Sequence, residues 1–137
     1  MQQEICSELK DATILIVDDN PINQKLLVLG LQKHVKGIVL ANDGEEAVEK
    51  FLSGSYDIII MDLQMPGMNG IQATKKIRDL EVEKGMKRTP IIGNTAHAFP
   101  EERDRCLDAG MDNGFWDTRF NLEMFKKMTT KFFRPAT

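Results

Sequence analysis

A short β-rich run, a turn and a stretch with helical periodicity follow one another five times along the chain, and this alternation restricts the fold more than any other feature. Most of the runs are apolar on nearly every residue, which is typical of strands covered on both faces of a sheet. Because a helical stretch separates each run from the next, neighbouring strands are predicted to be parallel. The predicted strands are Thr13–Val17, Gly37–Ala41, Asp57–Met61, Pro90–Asn94 and Asn113–Trp116. The sequence therefore predicts an α/β fold with one five-stranded, parallel, doubly wound sheet.

Turn and capping residues predict where the helices begin and end. Asn20 and Pro21 suit the N-cap and the first position of a helix, and Gly110 suits the end of another. The segment 65–70 is a dense turn signal, and the segment 82–88 is predicted to be a charged loop. The residues predicted to face the core are Ile22, Leu26, Leu27 and Leu29; Ala47, Val48, Phe51 and Leu52; Ile71, Thr74, Ile77 and Leu80; Cys106 and Leu107; and Leu122, Phe125, Met128 and Phe132.

Length, charge and hydropathy exclude several classes of protein. The 137 residues suit one domain, which we expect to cover residues 11–134 after a polar linker or tail at residues 1–10. A net charge of −3 argues against a nucleic-acid-binding surface. The apolar runs are far shorter than the roughly 20 residues of a membrane helix, and the N-terminus lacks the pattern of a signal peptide. Cys6 and Cys106 have no zinc-like spacing and are predicted to be reduced thiols of a cytoplasmic protein.

Carboxylates stand at the ends of two predicted strands. Asp18 and Asp19 follow the first strand, and Asp62 follows the third. In a parallel sheet these ends meet at one edge, where ligands bind. Two unit charges about 5 Å apart repel by about 3 kcal/mol at an effective dielectric constant of 20, so the cluster needs a proton or a cation. Hard oxygen ligands suit Mg²⁺ (or Mn²⁺), and the hydroxyl of Thr95 after the fourth strand suits a phosphoryl oxygen.

Each of these residues also has a simpler interpretation. An Asp-Asp pair after a strand usually caps the next helix, a single Asp such as Asp62 is often a turn residue, and Thr95 alone would be an ordinary hydroxyl at a strand end. The combination, with each member at the same end of its own strand, favours a metal and phosphoryl site.

The chain resembles the receiver domains of two-component signalling over residues 13–120. The matching stretches are ILIVDDNPINQKLL, ANDGEEAVEKF, YDIIIMDLQMPGMNGIQATKKIR, TPIIGNTAHAF and RCLDAGMD. The segments MDLQMPGMNG and DDNPINQ are most similar to those of receivers from hybrid histidine kinases and their multistep relays. The resemblance implies the flavodoxin-like strand order 2-1-3-4-5. It also implies a histidine kinase or histidine phosphotransfer protein as the partner.

The resemblance assigns roles to residues at the strand ends. It makes Asp62 the phosphoacceptor and Thr95 the switch hydroxyl that bonds a phosphoryl oxygen. It implies a Mg²⁺ site built by Asp19, Asp18, Asp62 and the backbone carbonyl of Gln64. It further implies that Pro66 and Gly70 shape the loop after the acceptor.

The chain departs from the family pattern at the fifth strand. Receivers carry a Lys-Pro pair there, and this chain has Asp117-Thr118; the aromatic residue usually found three positions earlier is Gly114. A second alignment, slipped by two residues, keeps the same strand faces. In that alignment Trp116 and Arg119 restore the spacing of the aromatic and the cation, and Arg119 becomes the substitute for the lysine.

Three functions stay open on the sequence. The first is a Mg²⁺-dependent phosphoacceptor with altered chemistry, and the second is a pseudo-receiver that acts as a protein interaction module. The third, a Mg²⁺-dependent hydrolase with an Asp nucleophile, lacks the expected DxD motif and catalytic lysine. We expect a monomer or weak dimer that is either a stand-alone receiver or the receiver part of a hybrid histidine kinase, without membrane insertion of this domain.

Overall fold

The predicted alternation of strands and helices is observed. A computed structural model of the chain describes residues 8–95, 98–116 and 120–132. The strands are β1 (Thr13–Val17), β2 (Gly37–Ala41), β3 (Ile58–Asp62), β4 (Ile91–Asn94) and β5 (Asn113–Phe115). The helices are α1 (Pro21–Leu31), α2 (Gly44–Ser53), α3 (Gly70–Lys84), α4 (Pro100–Ala109) and α5 (Leu122–Thr129), with short 3₁₀ turns at Leu9–Asp11 and Thr130–Phe132. No helix in the described ranges is long and apolar enough to cross a membrane.

The five strands form one parallel sheet in the order β2-β1-β3-β4-β5, which confirms the predicted topology. Val17 at the end of β1 lies beside Met61 of β3, and Asp62 lies beside Asn94 of β4. The carboxyl ends of β1, β3 and β4 are therefore nearly level. This register brings the loops that follow these three strands to one edge of the sheet.

The sheet is covered by helices on both faces, because successive strand residues point to opposite sides. Alternate residues such as Leu15 and Ile59 contribute to one core, and Ile16 and Ile60 contribute to the other. Residues from α2, α3 and α4 complete the first core, and residues from α1 and α5 complete the second. The largest completely buried side chains are Phe51, Phe115, Phe125, Ile14, Leu15, Ile16, Leu31, Ile58, Ile59, Ile60, Met61 and Ile77.

The predicted core face of α1 is wrong in part. Leu27 is buried, but the exposed fractions of Ile22, Leu26 and Leu29 are 70%, 53% and 58%. The buried face instead holds Gln24, Leu27 and Leu31. These positions follow the i, i+3, i+7 spacing of one helical face, and the buried amide at position 24 is hydrogen-bonded. The three exposed apolar residues form a separate stripe on the outside of the helix.

Smaller differences concern the ends of other elements. Leu52 and Leu107, predicted to face the core, are 46% and 44% exposed. Helix α3 continues through the first part of the segment predicted to be a loop and stops at Gly85, whose φ of 64° is the left-handed conformation that favours glycine at a helix end. The exposed charged residues of that segment are compatible with a solvated helical turn.

A partly buried arginine joins α3 to the segments that precede β4 and β5, at the end of the sheet opposite the clustered carboxylates. The Arg78 guanidinium donates hydrogen bonds to the backbone oxygens of Gly110 and Thr89 at distances between 2.8 and 3.0 Å. It also pairs with the carboxylates of Glu81 at 2.7 Å and Asp112 at 3.1 Å. The side chain of Arg78 is only 12% exposed. Several of these contacts connect segments more than 30 residues apart in the sequence.

Candidate functional site

Three carboxylates meet where β1 and β3 end. One oxygen atom from each of Asp18, Asp19 and Asp62 can be chosen so that all three lie within 4.8 Å of one another. Asp18 is 2% exposed, Asp19 is exposed, and Asp62 is partly buried. The structure therefore brings together the three residues that the sequence placed at neighbouring strand ends.

The loop after β1 holds Asp18 in place through backbone and side-chain hydrogen bonds. The Asp18 N–H donates to the backbone oxygen of Ala41 in β2 at 3.1 Å. The Asn20 N–H donates to the Asp18 carboxylate at 2.9 Å, and the Asn20 side chain caps α1 by accepting from the Ile22 N–H at 2.8 Å. The Asp18 carboxylate is therefore positioned by the same turn that starts the helix.

The electrostatic environment opposes ionisation of the cluster. Burial, followed by the charges of Asp18 and Asp19, raises the pKa of Asp62 from 3.8 to about 7, against hydrogen bonds from Gln64 and Leu63 that favour the ionised form. Burial also raises the pKa of Asp18, although the Asn20 N–H stabilises its ionised form. Three hard oxygen donors that repel one another are suited to a divalent cation such as Mg²⁺, since a cation offsets the repulsion that otherwise keeps a proton in the site.

A groove of about 1030 Å³ opens over these carboxylates. Asp62 lies between the β1 carboxylates on one side and Thr95, which follows β4, on the other, as the strand order requires. Gln64 also lines the groove, and its N–H donates to the Asp62 carboxylate at 3.4 Å. The groove continues past Leu26 of α1 and Phe99 before α4.

The loop after Asp62 returns so closely that it requires glycine at position 70. A Cβ atom at Gly70 would overlap the backbone oxygen of Asp62 and would lie 3.0 Å from the Cα of Leu63. The Gly70 N–H donates to the Leu63 backbone oxygen at 3.0 Å. The start of α3 is therefore packed directly against the backbone of the central Asp.

A tryptophan covers two glycines beside the site. Gly93 of β4 and Gly114 of β5 lie directly opposite each other. A Cβ at Gly93 would approach the Trp116 ring to 2.9 Å, and one at Gly114 would approach it to 2.6 Å. The ring therefore lies where a side chain at position 114 would otherwise project. The Trp116 backbone oxygen also accepts from the Ala98 N–H at 2.7 Å, which joins β5 to the segment before α4.

The remaining predicted site residues, Asp117 and Arg119, lie outside the described residues, as does Thr118 beside them. Cys6, predicted to be a reduced thiol, also lies outside them. The strand before Asp117 pairs in a regular register, with Asn94 opposite Phe115. No sequence pattern pointed to Gln24, and Trp116 was predicted to end the fifth strand and to replace the missing aromatic residue only in the slipped alignment. The sequence signal for the position of Trp116 was the presence of a glycine in each of two neighbouring strands, Gly93 and Gly114, which leaves room for a large ring above them.

Comparison with known proteins gives consistent matches over most of the chain. The family model of the response regulator receiver domain matches residues 14–123. The sensor histidine kinase RcsC of Escherichia coli (strain K12) is 40% identical over 107 residues, which cover 78% of this chain and 11% of RcsC. The histidine-protein kinase BarA of Shigella flexneri is 40% identical over 101 residues, which cover 74% of this chain and 11% of BarA. The chain therefore spans about a tenth of the length of these curated relatives.

Solved structures show the same fold. The co-crystal structure of the Saccharomyces cerevisiae histidine phosphotransfer signaling protein Ypd1 and the receiver domain of its downstream response regulator Ssk1 matches with a TM-score of 0.79 and 32% identity, covering 88% of both chains. The receiver domain of the histidine kinase CKI1 from Arabidopsis thaliana, complexed with Mg²⁺, matches with a TM-score of 0.70 and 33% identity, covering 83% of this chain and 89% of that one.

Proposed function

Because the chain belongs to the response regulator receiver family, we propose that it accepts a phosphoryl group on Asp62 from a phosphohistidine donor, with a divalent cation beside it. The observation that carries this proposal is the cluster of three carboxylates within 4.8 Å at the floor of an open groove. The relatives are sensor histidine kinases, and the similar CKI1 receiver was solved with Mg²⁺. This site has the donor set that such a cation requires.

In the proposed reaction an oxygen of the Asp62 carboxylate attacks the phosphorus atom of the donor. A P–O bond forms as the P–N bond breaks, and the electron pair leaves with the imidazole nitrogen of the donor. Asp18, Asp19, Asp62 and the backbone carbonyl of Gln64 would hold the cation, and the hydroxyl of Thr95 would donate to a phosphoryl oxygen. A bound divalent cation supplies positive charge that favours the ionised form of Asp62 and balances the charge of the phosphoryl oxygens.

Phosphorylation should occur on Asp62 alone. Incubation with Mg²⁺ and acetyl phosphate should add one phosphoryl group to the parent, and Asp62→Asn should abolish the addition because the nucleophilic carboxylate is lost. Intact-mass spectrometry measures the product. Asp43→Asn is the matched control, since Asp43 caps α2 through the Glu46 N–H at 2.8 Å and Asn caps equally well. Labelling that survives in Asp62→Asn would contradict the assignment, and an unlabelled parent would favour the interaction-module alternative.

The exposed apolar stripe of α1, formed by Ile22, Leu26 and Leu29, is the proposed docking surface for the donor. Leu26 and Phe99, which is 63% exposed, line the groove that leads to Asp62. Exposed apolar residues grouped beside a site mark a protein-binding surface. The similar Ssk1 receiver was crystallised with a histidine phosphotransfer protein, so we propose a protein of that class as the partner.

Leu26→Asp should slow phosphoryl transfer from phosphorylated Ypd1 by about tenfold or more relative to labelling by acetyl phosphate, because a buried interface would then contain an unpaired charge. The ratio of the rate of transfer from Ypd1 to the rate of labelling by acetyl phosphate separates an effect on docking from an effect on the phosphorylation reaction. Leu52→Asp is the control, since Leu52 is 46% exposed on α2 and is not among the residues that line the groove. Equal ratios for Leu26→Asp and the parent would exclude the stripe as the docking surface.

The cation at the end of the fifth strand is the part of the proposed site that differs from the family. In the simple alignment Asp117 replaces the lysine, and Asp117→Lys should raise the yield of phosphorylated protein by adding a charge that binds the phosphoryl group. Arg119→Ala should then have little effect. In the slipped alignment Arg119→Ala should abolish labelling, and Asp117→Lys should change little. If neither substitution alters the yield, both alignments are wrong about this role.

Two further expectations stay predictions. We expect a cytoplasmic location, and a monomeric or weakly dimeric state that leaves the groove open to the donor.

A further inference from the structure

A buried glutamine contacts the loop that carries two of the clustered carboxylates. Gln24 is 9% exposed and is the polar member of the buried face of α1. Its side-chain Nε2 donates to the backbone oxygen of Asp18 at 2.6 Å and to the side-chain oxygen of Asn42 at 2.8 Å. An amide nitrogen has two hydrogens, so both are used. One side chain therefore joins the loop after β1 to the loop after β2.

The hydrogen bond from Gln24 to the backbone oxygen of Asp18 restrains the backbone between Asp18 and Asp19. The carbonyl of Asp18 belongs to the peptide group that joins Asp18 to Asp19, and a peptide group is planar. The N–H of Asp18 is already bonded to Ala41 of β2 at 3.1 Å. With the carbonyl held by Gln24 as well, the rotation of the Asp18–Asp19 peptide plane is restrained. That plane sets the directions in which both carboxylates leave the backbone.

The second hydrogen bond restrains the glutamine itself. Asn42 is exposed, and its backbone N–H donates to the Glu46 carboxylate at 2.7 Å, which ties it to the first turn of α2. The Asn42 side chain therefore presents its oxygen to Gln24 from an anchored position. Gln24 is held between two acceptors on different loops.

We propose that Gln24 is a positioning residue for the divalent-cation site, acting through the Asp18–Asp19 peptide without touching the cation. The proposal rests on the proposed function, because it assigns to Gln24 the orientation of two residues that would bind the metal. Groups that orient metal ligands from outside the coordination sphere commonly change metal affinity by about 10- to 100-fold when they are replaced.

The test compares Mg²⁺ binding by variants of the full chain, measured by isothermal titration calorimetry. Gln24→Met keeps the length of the side chain but removes both donors, and it should raise the Mg²⁺ dissociation constant by about tenfold or more. Leu27→Ala is the matched control for stability, since Leu27 is 4% exposed on the same face of α1. It should lower the melting temperature and leave the dissociation constant within about twofold of the parent, because it leaves the amide in place.

Asn42→Ala provides a second variant, at an exposed position where a substitution should cost little stability. It removes one acceptor and should weaken Mg²⁺ binding less than Gln24→Met does. In the variant that carries both substitutions, the two losses of Mg²⁺ affinity should not add, because both substitutions act through the side-chain amide of Gln24.

Three results would overturn the positioning role. They are an unchanged dissociation constant in Gln24→Met, an equal loss in Leu27→Ala, and additive losses in the double variant. If the parent binds Mg²⁺ and Gln24→Met binds it equally well, only the role of Gln24 fails. If the parent binds no Mg²⁺, both the proposed cation site and the proposed role of Gln24 are contradicted.

Discussion

At pH 8 and without divalent metal, Asp62→Asn should be more stable than the parent, although it removes the proposed phosphoacceptor. Burial and the neighbouring charges of Asp18 and Asp19 raise the pKa of Asp62 from 3.8 to about 7, so the ionised form is unfavourable in the folded protein. A neutral amide avoids that penalty. The shift alone corresponds to about 4 kcal/mol of free energy of unfolding, and solvent screening of this partly exposed carboxylate makes the expected gain smaller.

The pH dependence follows from the sign of this shift. Because the pKa of Asp62 is higher in the folded than in the unfolded state, the folded protein binds more protons between about pH 4 and pH 7. The stability contributed by Asp62 is therefore lost as the pH rises through that range. Urea unfolding at pH 5 and pH 8 should show a large difference between Asp62→Asn and the parent at pH 8 and a small one at pH 5.

Two additional measurements test the origin of the effect. Mg²⁺ should raise the free energy of unfolding of the parent more than that of Asp62→Asn. A ligand stabilises a folded protein according to how tightly it binds, and the variant lacks one of the proposed carboxylate ligands. Asp43→Asn, which keeps its capping hydrogen bond, should change the stability little at either pH. A variant at position 62 that is no more stable than the parent at pH 8 would show that the carboxylates do not repel one another as the structure indicates.

Arg78→Ala should lower the free energy of unfolding by up to about 3–5 kcal/mol, since its removal leaves the buried Glu81 carboxylate without a cation and removes one of the two cations that pair with Asp112. Glu81 is only 5% exposed and Asp112 only 16%, and both pair with Arg78. The backbone oxygen of Thr89 also loses the hydrogen bond from Arg78, and that of Gly110 keeps only the one from Arg88 at 3.1 Å. A loss of this size is a large fraction of the stability of an ordinary domain.

Arg88→Ala is the matched control for this prediction. Arg88 also pairs with Asp112, at 2.9 Å, but its side chain is 57% exposed. Exposed pairs usually contribute about 1 kcal/mol or less. Arg78→Lys should recover little of the loss, because a single ammonium group cannot reproduce the geometry of the guanidinium. Equal effects of Arg78→Ala and Arg88→Ala in urea unfolding would show that the buried network does not stabilise the fold.

The sequence predicted that the three carboxylates would lie together, because a parallel sheet brings the carboxyl ends of its strands to one side. Once the strands are known to be parallel, Asp18, Asp19 and Asp62 must lie at one edge, whatever the details of the loops. The third strand was predicted to end at Met61 and in fact ends at Asp62, but this difference of one residue did not affect the conclusion. The raised pKa of Asp62 could not be obtained in the same way, because it depends on how deeply the carboxylate is buried and how close its neighbours are.

The sequence by itself determined the order of elements, the parallel sheet and the carboxylates at its edge, because hydrophobic periodicity and turn residues act over short distances along the chain. Only the tertiary structure decided which apolar residues of α1 face the solvent, since Leu26 and Leu27 look alike in the sequence and lie on different sides of the helix. It also decided the partners of Gln24, Arg78 and Trp116. Those contacts join segments that are distant along the chain, and their geometry exists only after the sheet has brought the segments together.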